Sequence, residues 1–265
     1  MLLARQNALI HGAGGAIGGA VARAFAREGA KVFLAGRTLA HLQAVAADIE
    51  AAGGSAEAAE VDALSAASVD RHADAVAQKA GGIDIALNAI GVPHVQGRPF
   101  AELSLADYEY PISVYTRSNF ITAQAVARHM ARQGSGVILT LSTPGARLPG
   151  PGYMGNGVSS AAVEALSRHL AGELGAQGIR VVCIRPHAIP EAAAGGSHSR
   201  EVFRPTAERA GVTVEQMLEG AAAGTLLKRL PTLDHIANTA VFLASGHAGA
   251  ITGTVANLSC GFLVD

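Results

Sequence analysis

A glycine-rich turn between an apolar run and an amphipathic segment constrains this fold most. Residues 7–19 read N-A-L-I-H-G-A-G-G-A-I-G-G. The run Ala8–Ile10 predicts a buried parallel strand, and Ile17, Val21 and Phe25 recur at helical spacing. A strand, a glycine turn and a helix in this order favour a dinucleotide site over a turn that binds nothing. The backbone can then approach a pyrophosphate, and the first helical N–H groups point at its charge. The residues predicted to contact it are Gly12, Gly14, Gly15, Ala16, Ile17 and Gly18.

The end of the next predicted strand indicates which dinucleotide is bound. Lys31–Ala35 is β-branched and apolar, and Gly36, Arg37 and Thr38 follow it. Sites for the unphosphorylated cofactor place an acidic residue near this strand end, where it accepts the ribose 2′-hydroxyl. Arginine instead binds a 2′-phosphate through forked, charge-assisted hydrogen bonds. NADP(H) is therefore predicted over NAD(H), and the alternative for Arg37 is a solvated loop residue.

Composition and charge exclude several classes of protein. The 265 residues suit one α/β domain with a buried core. The net charge of −1 at pH 7 does not indicate binding to nucleic acid or to an anionic membrane, which basic proteins favour. No apolar run reaches the roughly 18 residues of a membrane span, and residues 1–7 lack the apolar core of a signal peptide. We therefore expect a cytoplasmic protein that has neither nucleic acid nor membrane as a partner.

The cysteines and histidines do not predict a metal site. Cys183 and Cys260 have neither metal-ligand nor redox spacing, and Cys183 stands in an apolar run that predicts a buried small residue. The 10 histidines are scattered, and no pair lies at ligand spacing on one predicted helix. They are interpreted as structural or surface residues.

Strands are predicted to alternate with helices along the chain. The predicted strands are 8–10, 31–35, a segment leading to Val61, 83–87, 137–141, 179–184 and 253–258. The predicted helices are 17–28, 39–52, 65–79, 104–133, 159–177 and 233–244. Pro111 is expected to start or kink a helix. The alternation predicts an α/β fold, in which residues 1–265 form one Rossmann-type domain with a doubly wound parallel sheet and helices on both faces.

An irregular segment interrupts this alternation at about 188–225. It predicts two short helices, and an insertion after a late strand typically covers the substrate and can move. The alternative is a surface excursion without a ligand. Its alanine, glycine and leucine content favours a small apolar substrate.

Several short motifs carry a resemblance to a known family. They are His11-Gly12-x-x-x-Ala16-Ile17-Gly18, Asp62, Asn88-Ala89-Ile90-Gly91, Lys228-Arg229-Leu230, Ile236-Ala237-x-x-x-x-Phe242-Leu243-Ala244-Ser245 and Ile251-Thr252-Gly253. With them, the chain resembles the short-chain dehydrogenase/reductase family along nearly its whole length. The resemblance implies a homodimer or homotetramer, an NAD(P)(H) site and Asp62 beside the adenine. Asn88, Ala89, Gly91 and Pro186 are assigned to the same cofactor site.

The resemblance also shows where this chain departs from its family. The family uses a proton-donating tyrosine, a lysine four residues later, a serine that polarises the carbonyl and an asparagine that supports a water relay. Aligned on 161–166, the tyrosine position holds Asn156 and the lysine position holds Ser160. The serine position falls on Thr143, with Ser142 beside it, and the asparagine position falls on or near Tyr115. An asparagine amide donates a hydrogen bond but gives up no proton at neutral pH.

Two functional hypotheses follow. The first is an atypical NADP(H)-dependent oxidoreductase acting on a small carbonyl or alcohol, with Thr143 or Ser142 at the oxygen and Tyr153 or Tyr115 as a displaced acid. Each tyrosine has the alternative role of shaping the pocket. The second is a non-redox relative, either an isomerase, cyclase or lyase or an inactive binding or structural subunit. In such an enzyme, Asn156 and Thr143 would form an oxyanion site.

Overall fold

The computed structural model describes residues 1–195 and 197–264. Within them, strands β1 to β7 are Asn7–His11, Lys31–Gly36, Ser55–Glu60, Ile85–Asn88, Gly136–Leu141, Ile179–Pro186 and Thr254–Leu258. Helices α1 to α9 of the described chain are Ala16–Arg27, Leu39–Ala51, Ala66–Ala80, Leu105–Gln133, Met154–Leu174, Pro190–Ala194, Ser199–Arg209, Val214–Gly224 and Leu233–Ala244.

The strands form one parallel sheet in the order β3-β2-β1-β4-β5-β6-β7. Helices α1, α2 and α9 pack on one face, where Phe25, Leu42 and Ile236 are buried. Helices α3, α4 and α5 pack on the other face, where Val69 and Val126 are buried. The predicted doubly wound α/β sheet with helices on both faces is confirmed.

The apolar runs form strands because both faces of the sheet are covered. In β1, Ala8 and Ile10 belong to the core under α1, whereas Leu9 belongs to the core under α4. Side chains alternate between the faces of a strand, so a strand covered on both sides is apolar at every position. This pattern is typical of an internal strand, and β1 lies between β2 and β4.

The strand order reverses beside β1 and opens a crevice at the carboxyl edge of the sheet. The chain moves outward from β1 to β3 on one side and from β4 to β7 on the other. At this edge, Gly12 N–H donates to Ala35 O at 2.8 Å and Ala89 N–H donates to His11 O at 2.8 Å. Ligands of open parallel sheets bind at such a switch point.

The start of α5 differs from the prediction. The helix begins at Met154 instead of residue 159, so Asn156 and Ser160 lie on one helix. Gly155 and Gly157 are weak helix formers, but a Cβ at Gly155 would lie 3.0 Å from Cγ of Pro111. The close packing of α5 on α4 therefore overrides local propensity.

Helix α4 has nearly the predicted bounds, but Pro111 does not start a helix. It runs from Leu105 to Gln133 with Pro111 inside, after an N-cap at Ser104 whose side chain accepts from Asp107 N–H. None of the described helices combines the length and apolarity needed to cross a membrane.

The segment 188–225, of which residue 196 lies outside the described residues, holds three helices instead of the predicted two. Pro190 starts the short helix α6, where a missing N–H costs nothing. Thr213 and Gln216 form a reciprocal cap at the start of α8. Ala193, Ala207, Val214, Leu218 and Leu230 form a small separate apolar core beneath these helices.

Candidate active site

The glycine turn after β1 is held by backbone packing on both sides. Gly12 has φ +81°, and a Cβ there would lie 2.5 Å from Ala89 O. A Cβ at Gly18 would overlap the carbonyl oxygen of Gly12 and lie 2.9 Å from its carbonyl carbon. Glycine is therefore required at both positions for the turn to close against β4 and α1.

A cleft of about 1240 Å³ runs along the carboxyl edge of the sheet from this turn. Gly12, Gly14, Gly15, Ala16 and Ile17 line it, whereas Gly18 faces the turn and is not among its lining residues. Gly15 is the N-cap of α1, no side chain caps the helix, and no acidic residue stands in its first turn. The positive end of the helix is thus open to the cleft, which suits a pyrophosphate.

The end of β2 places a cation in the same cleft. Arg37 is exposed and lines the cleft beside Thr38. Within the described residues, its guanidinium has no hydrogen bond or ion pair. Asp62 lines the cleft after β3, and its Oδ1 accepts from Leu64 N–H at 3.0 Å.

The turn after β4 contributes backbone more than side chains. Ala89 and Gly91 line the cleft, and Pro186 lines it at the end of β6. Asn88 does not line it, because its Nδ2 donates to Thr122 Oγ1 at 3.0 Å and its Oδ1 accepts from Ile90 N–H at 3.1 Å. Asn88 therefore shapes the turn instead of facing a ligand.

At the far end of the cleft, the structure brings together three of the predicted catalytic side chains. Thr143 Oγ1 donates to Asn156 Oδ1 at 3.1 Å and lies 2.8 Å from Ser160 Oγ. Because the one Thr143 hydrogen is used on Asn156, Ser160 donates to Thr143. Asn156 and Ser160 are four residues apart and share a face of α5. All three line the cleft.

Ser142 also lines the cleft, but its hydroxyl is engaged below it. Its Oγ donates to Glu164 Oε1 at 2.9 Å. Glu164 in turn accepts from Arg185 Nε at 2.7 Å and from Arg185 Nη2 at 3.0 Å. The buried Glu164–Arg185 pair joins α5 to β6, and the Ser142 hydrogen bond connects this pair to the segment after β5 that carries Thr143.

His94 is part of this site, and the interpretation of the histidines as structural or surface residues missed it. Its Nδ1 donates to Val92 O at 2.9 Å, and its Nε2 accepts from Gln96 Nε2 at 2.9 Å and from Asn156 Nδ2 at 3.3 Å. Burial lowers the pKa of His94, which favours the neutral ring. Its position just after the Asn88–Gly91 turn is the one sequence signal that places it at the edge of the crevice.

The two candidate tyrosines are placed differently. Tyr115 lines the cleft, its ring stands edge-on to His94 at a centroid distance of 6.0 Å, and its hydroxyl accepts from Val92 N–H at 3.4 Å. Burial raises the pKa of Tyr115. Tyr153 lines the cleft as the residue before α5, and its hydroxyl has no hydrogen-bond partner within the described part of the chain.

Helices α6 to α8 form one wall of the cleft. A Cβ at Gly91 would lie 2.7 Å from Nε2 of His198, so this histidine rests directly on the turn after β4. Glu191 and Ser199 also line the cleft here, and the remaining lining side chains of this wall are largely apolar: they include Val202, Phe203, Met217, Leu218 and Ala221.

Comparisons with known proteins identify the family. A family model described as "Enoyl-(Acyl carrier protein) reductase" matches residues 12–263. D-threitol dehydrogenase of Mycolicibacterium smegmatis is 30% identical over 262 residues, which cover 97% of this chain and 92% of that protein. The 7alpha-hydroxysteroid dehydrogenase of Escherichia coli K12 is 32% identical over 254 residues, 96% of this chain and 92% of that one. The chain belongs to the short-chain dehydrogenase/reductase family.

A solved structure of this family has the same fold. A 7 alpha-hydroxysteroid dehydrogenase, complexed with NADH and 7-oxo glycochenodeoxycholic acid, superposes with a TM-score of 0.82 at 29% identity and covers 98% of this chain and 94% of its own. The curated relatives are named dehydrogenases and reductases. The protein is therefore an oxidoreductase of the short-chain dehydrogenase/reductase type, a family that binds NAD(P)(H).

The three lysines of the chain, Lys31, Lys79 and Lys228, lie outside this cleft. Lys31 and Lys79 both pair with Glu57, at 2.9 and 2.7 Å. The Lys228 Nζ donates to Ala223 O. No lysine lines the cleft in the described chain. In those residues, no three His, Cys, Asp or Glu side chains converge as a metal site either.

Proposed function

We propose that the protein is an NADP(H)-dependent dehydrogenase/reductase with an atypical active site, acting on a small apolar alcohol or carbonyl compound. One observation carries the proposal. A single cleft continues from the open end of α1 and Arg37 to the hydrogen-bonded side chains of Thr143, Asn156 and Ser160.

The residues at the first end of the cleft fit a phosphorylated dinucleotide. The open N-terminus of α1 suits the pyrophosphate, and Asp62 lies at the adenine end. The Arg37 guanidinium is exposed and has no partner within the described chain, so it can form a fork on a 2′-phosphate. When bound, the nicotinamide accepts or delivers the hydride. The rest of the chemistry falls to side chains of this chain.

Asn156 and Thr143 hold the substrate oxygen in this proposal. One Nδ2 hydrogen of Asn156 is directed at His94, and the second remains available for an oxygen in the cleft. Thr143 fixes the amide by donating to its Oδ1, and Ser160 orients Thr143. The pair therefore binds and polarises a carbonyl but supplies no proton of its own.

The wall formed by residues 188–225 supports an apolar substrate. Phe203, Met217 and Leu218 line the cleft. They also take part in the small separate core of this segment. The relative named for a hydroxysteroid suits such a wall better than the relative named for threitol. We propose that this segment covers the substrate.

The test compares oxidation of secondary alcohols with NADP⁺ and with NAD⁺. The panel is an acyclic polyol, a cyclic secondary alcohol and a hydroxysteroid, followed by reduced-cofactor absorbance. We expect oxidation of the two apolar alcohols in preference to the polyol, and a preference for NADP⁺ over NAD⁺. Tight cofactor binding without turnover of any alcohol or ketone would instead favour a non-redox member of the family.

The family also suggests a homodimer or homotetramer in the cytoplasm. Apolar side chains on the outer faces of α4 and α5 support assembly, since Phe120 is 52% and Met154 is 44% exposed. Light scattering is expected to give two or four times the 26.8 kDa mass of the chain. A monomer at micromolar concentration would contradict this.

A further inference from the structure

We infer that His94 is the proton acceptor when the alcohol is oxidised, taking the part of the family's missing tyrosine. The inference rests on the proposed dehydrogenase function. It concerns a residue outside the family's motifs, in the loop between β4 and α4. Its basis is the position, hydrogen bonding and surroundings of the imidazole.

Two glycines clamp the loop that carries His94 onto the turn before α5. Gly97 N–H donates to Gly152 O at 2.9 Å, with φ +77° at Gly97 and +83° at Gly152. A Cβ at Gly152 would lie 2.7 Å from Gly97 Cα, and one at Gly97 would lie 2.8 Å from the backbone of Thr206. The loop is thus held between the start of α5 and helix α7, with His94 beside Asn156.

The hydrogen bonds of His94 select the tautomer that a base requires. Nδ1 faces the carbonyl oxygen of Val92 at 2.9 Å and must carry the hydrogen. Nε2 therefore presents its lone pair toward Gln96 and Asn156. The two donors share one lone pair. The distance to His94 Nε2 is 2.9 Å from Gln96 Nε2 and 3.3 Å from Asn156 Nδ2, so the Asn156 contact is the longer. A substrate hydroxyl can replace the weaker donor and accept the freed amide hydrogen.

The environment keeps the imidazole neutral and available. Burial lowers the pKa of His94, and the hydrogen bond to Val92 O raises it in part. The titratable groups that face it are Tyr115 and Tyr110 of α4 and His198, the residue before α7. Burial and the neighbouring His94 both lower the pKa of His198. On the outer side of the loop, charged side chains line a second cavity with His94: Arg98, Asp107, Glu201, Glu208 and Arg209.

Oxidation of the alcohol transfers one proton to His94 and one hydride to the nicotinamide. The alcohol O–H bond breaks, its proton forms a bond to Nε2 of His94, and the electron pair of the oxygen forms the C=O bond. The hydrogen on the carbinol carbon leaves with its electron pair to the oxidised nicotinamide. The products are a ketone, the reduced nicotinamide and a His94 imidazolium, which releases its proton to water. Asn156 donates to the substrate oxygen throughout.

The experiment compares the wild type, His94→Asn and the control His72→Asn. Asparagine retains a donor near Val92 O but has no base at the Nε2 position. His72 is a half-buried histidine outside the cleft whose pKa is also lowered by burial. With NADP⁺ and the alcohol panel, kcat of His94→Asn is expected to fall about 10²- to 10⁴-fold, the usual share of general-base catalysis. His72→Asn is expected to keep its kcat.

Three further readouts separate a base from a structural residue. Added imidazole should partly restore the activity of His94→Asn. In the wild type, kcat should decrease at acidic pH, below the ordinary histidine pKa of about 6.5. This acid limb of the pH profile should be absent from His94→Asn. Calorimetry should give an unchanged Kd for NADP⁺. ¹⁵N NMR of the wild type should show hydrogen at Nδ1 of His94.

The outcomes distinguish this inference from the proposed function. If the wild type oxidises alcohols and His94→Asn retains its kcat, the assignment of His94 as the base is overturned, while the proposed dehydrogenase function stands. A hydrogen at Nε2, or an acid limb that survives in His94→Asn, overturns that assignment as well. A wild type that binds NADP⁺ but oxidises no alcohol overturns the base and the dehydrogenase together.

Discussion

Adding one methyl group at Gly18 tests the packing of the glycine turn. In Gly18→Ala, the new Cβ overlaps Gly12 O, lies 2.9 Å from Gly12 C and lies 3.0 Å from Ala13 Cα. All three atoms belong to the backbone, and the turn cannot recede because Gly12 already closes against Ala89. Helix α1 must therefore move away from the glycine turn at Gly12 and Ala13.

The cost can be worked out against a matched glycine. Gly172 lies in α5 and has no atom within 4 Å of an added Cβ, so Gly172→Ala should gain about 0.5–1 kcal/mol of stability from reduced chain entropy. Overpacking at Gly18 should cost about 1–3 kcal/mol. At about 2–4 °C per kcal/mol, Tm should fall by roughly 2–12 °C in Gly18→Ala and rise slightly in Gly172→Ala.

Thermal unfolding and NADPH titration check both parts of this prediction. The displaced N–H groups of α1 should weaken NADPH binding in Gly18→Ala at least tenfold, about 1.4 kcal/mol, and Gly172→Ala should bind as the wild type does. If Gly18→Ala were as stable as Gly172→Ala and bound NADPH equally well, the assignment of this turn to the pyrophosphate would be refuted.

Three further predictions address the cofactor, the catalytic pair and the pH dependence of stability. Arg37→Ala should lose about tenfold to a hundredfold in NADPH affinity, the worth of a charge-assisted hydrogen bond of about 1.5–3 kcal/mol, and should bind NADH unchanged; equal losses for both would contradict the fork. Asn156→Tyr with Ser160→Lys should raise NADPH-dependent diketone reduction well above either single variant, because the ammonium lowers the tyrosine pKa; no gain in the folded double variant would show that this site does not follow the family's geometry. Burial lowers the pKa of His11 to about 3. Below about pH 6.5 the unfolded chain therefore binds a proton at this histidine before the folded chain does. The contribution of His11 to the free energy of unfolding is full above about pH 6.5 and should fall as the pH drops toward 4. Urea titrations should show a shallower fall in His11→Asn, by up to about 1.4 kcal/mol per pH unit, and identical slopes would argue against this burial.

Much of the fold could be predicted because its signals are local. The apolar run before Gly12 forms β1, and Leu233–Ala244 forms a helix with the predicted bounds. Cys183, in the apolar run of β6, is fully buried as expected. The start of α5 could not be predicted, because it depends on Gly155 packing against Pro111 across two helices.

The candidate site divides along the same line. Short motifs directly after β1 and β2 predict the glycine turn and Arg37, and both line one end of the cleft. In the polar cluster, the sequence predicts Thr143 and Asn156 together, but His94 lies 62 residues before Asn156. No spacing connects His94 to Asn156, whose approach is supported by the long-range hydrogen bond between Gly97 and Gly152.

The central claim is that this site still transfers hydride without the family's tyrosine and lysine. In the most direct measurement, the protein is incubated with NADP⁺ and a secondary alcohol that is deuterated at the carbinol carbon. The mass of the cofactor is then determined by mass spectrometry. Reduced cofactor that carries one deuterium is expected from the wild type and should be nearly absent from His94→Asn. Bound cofactor that stays oxidised and unlabelled with every alcohol of the panel would contradict the claim.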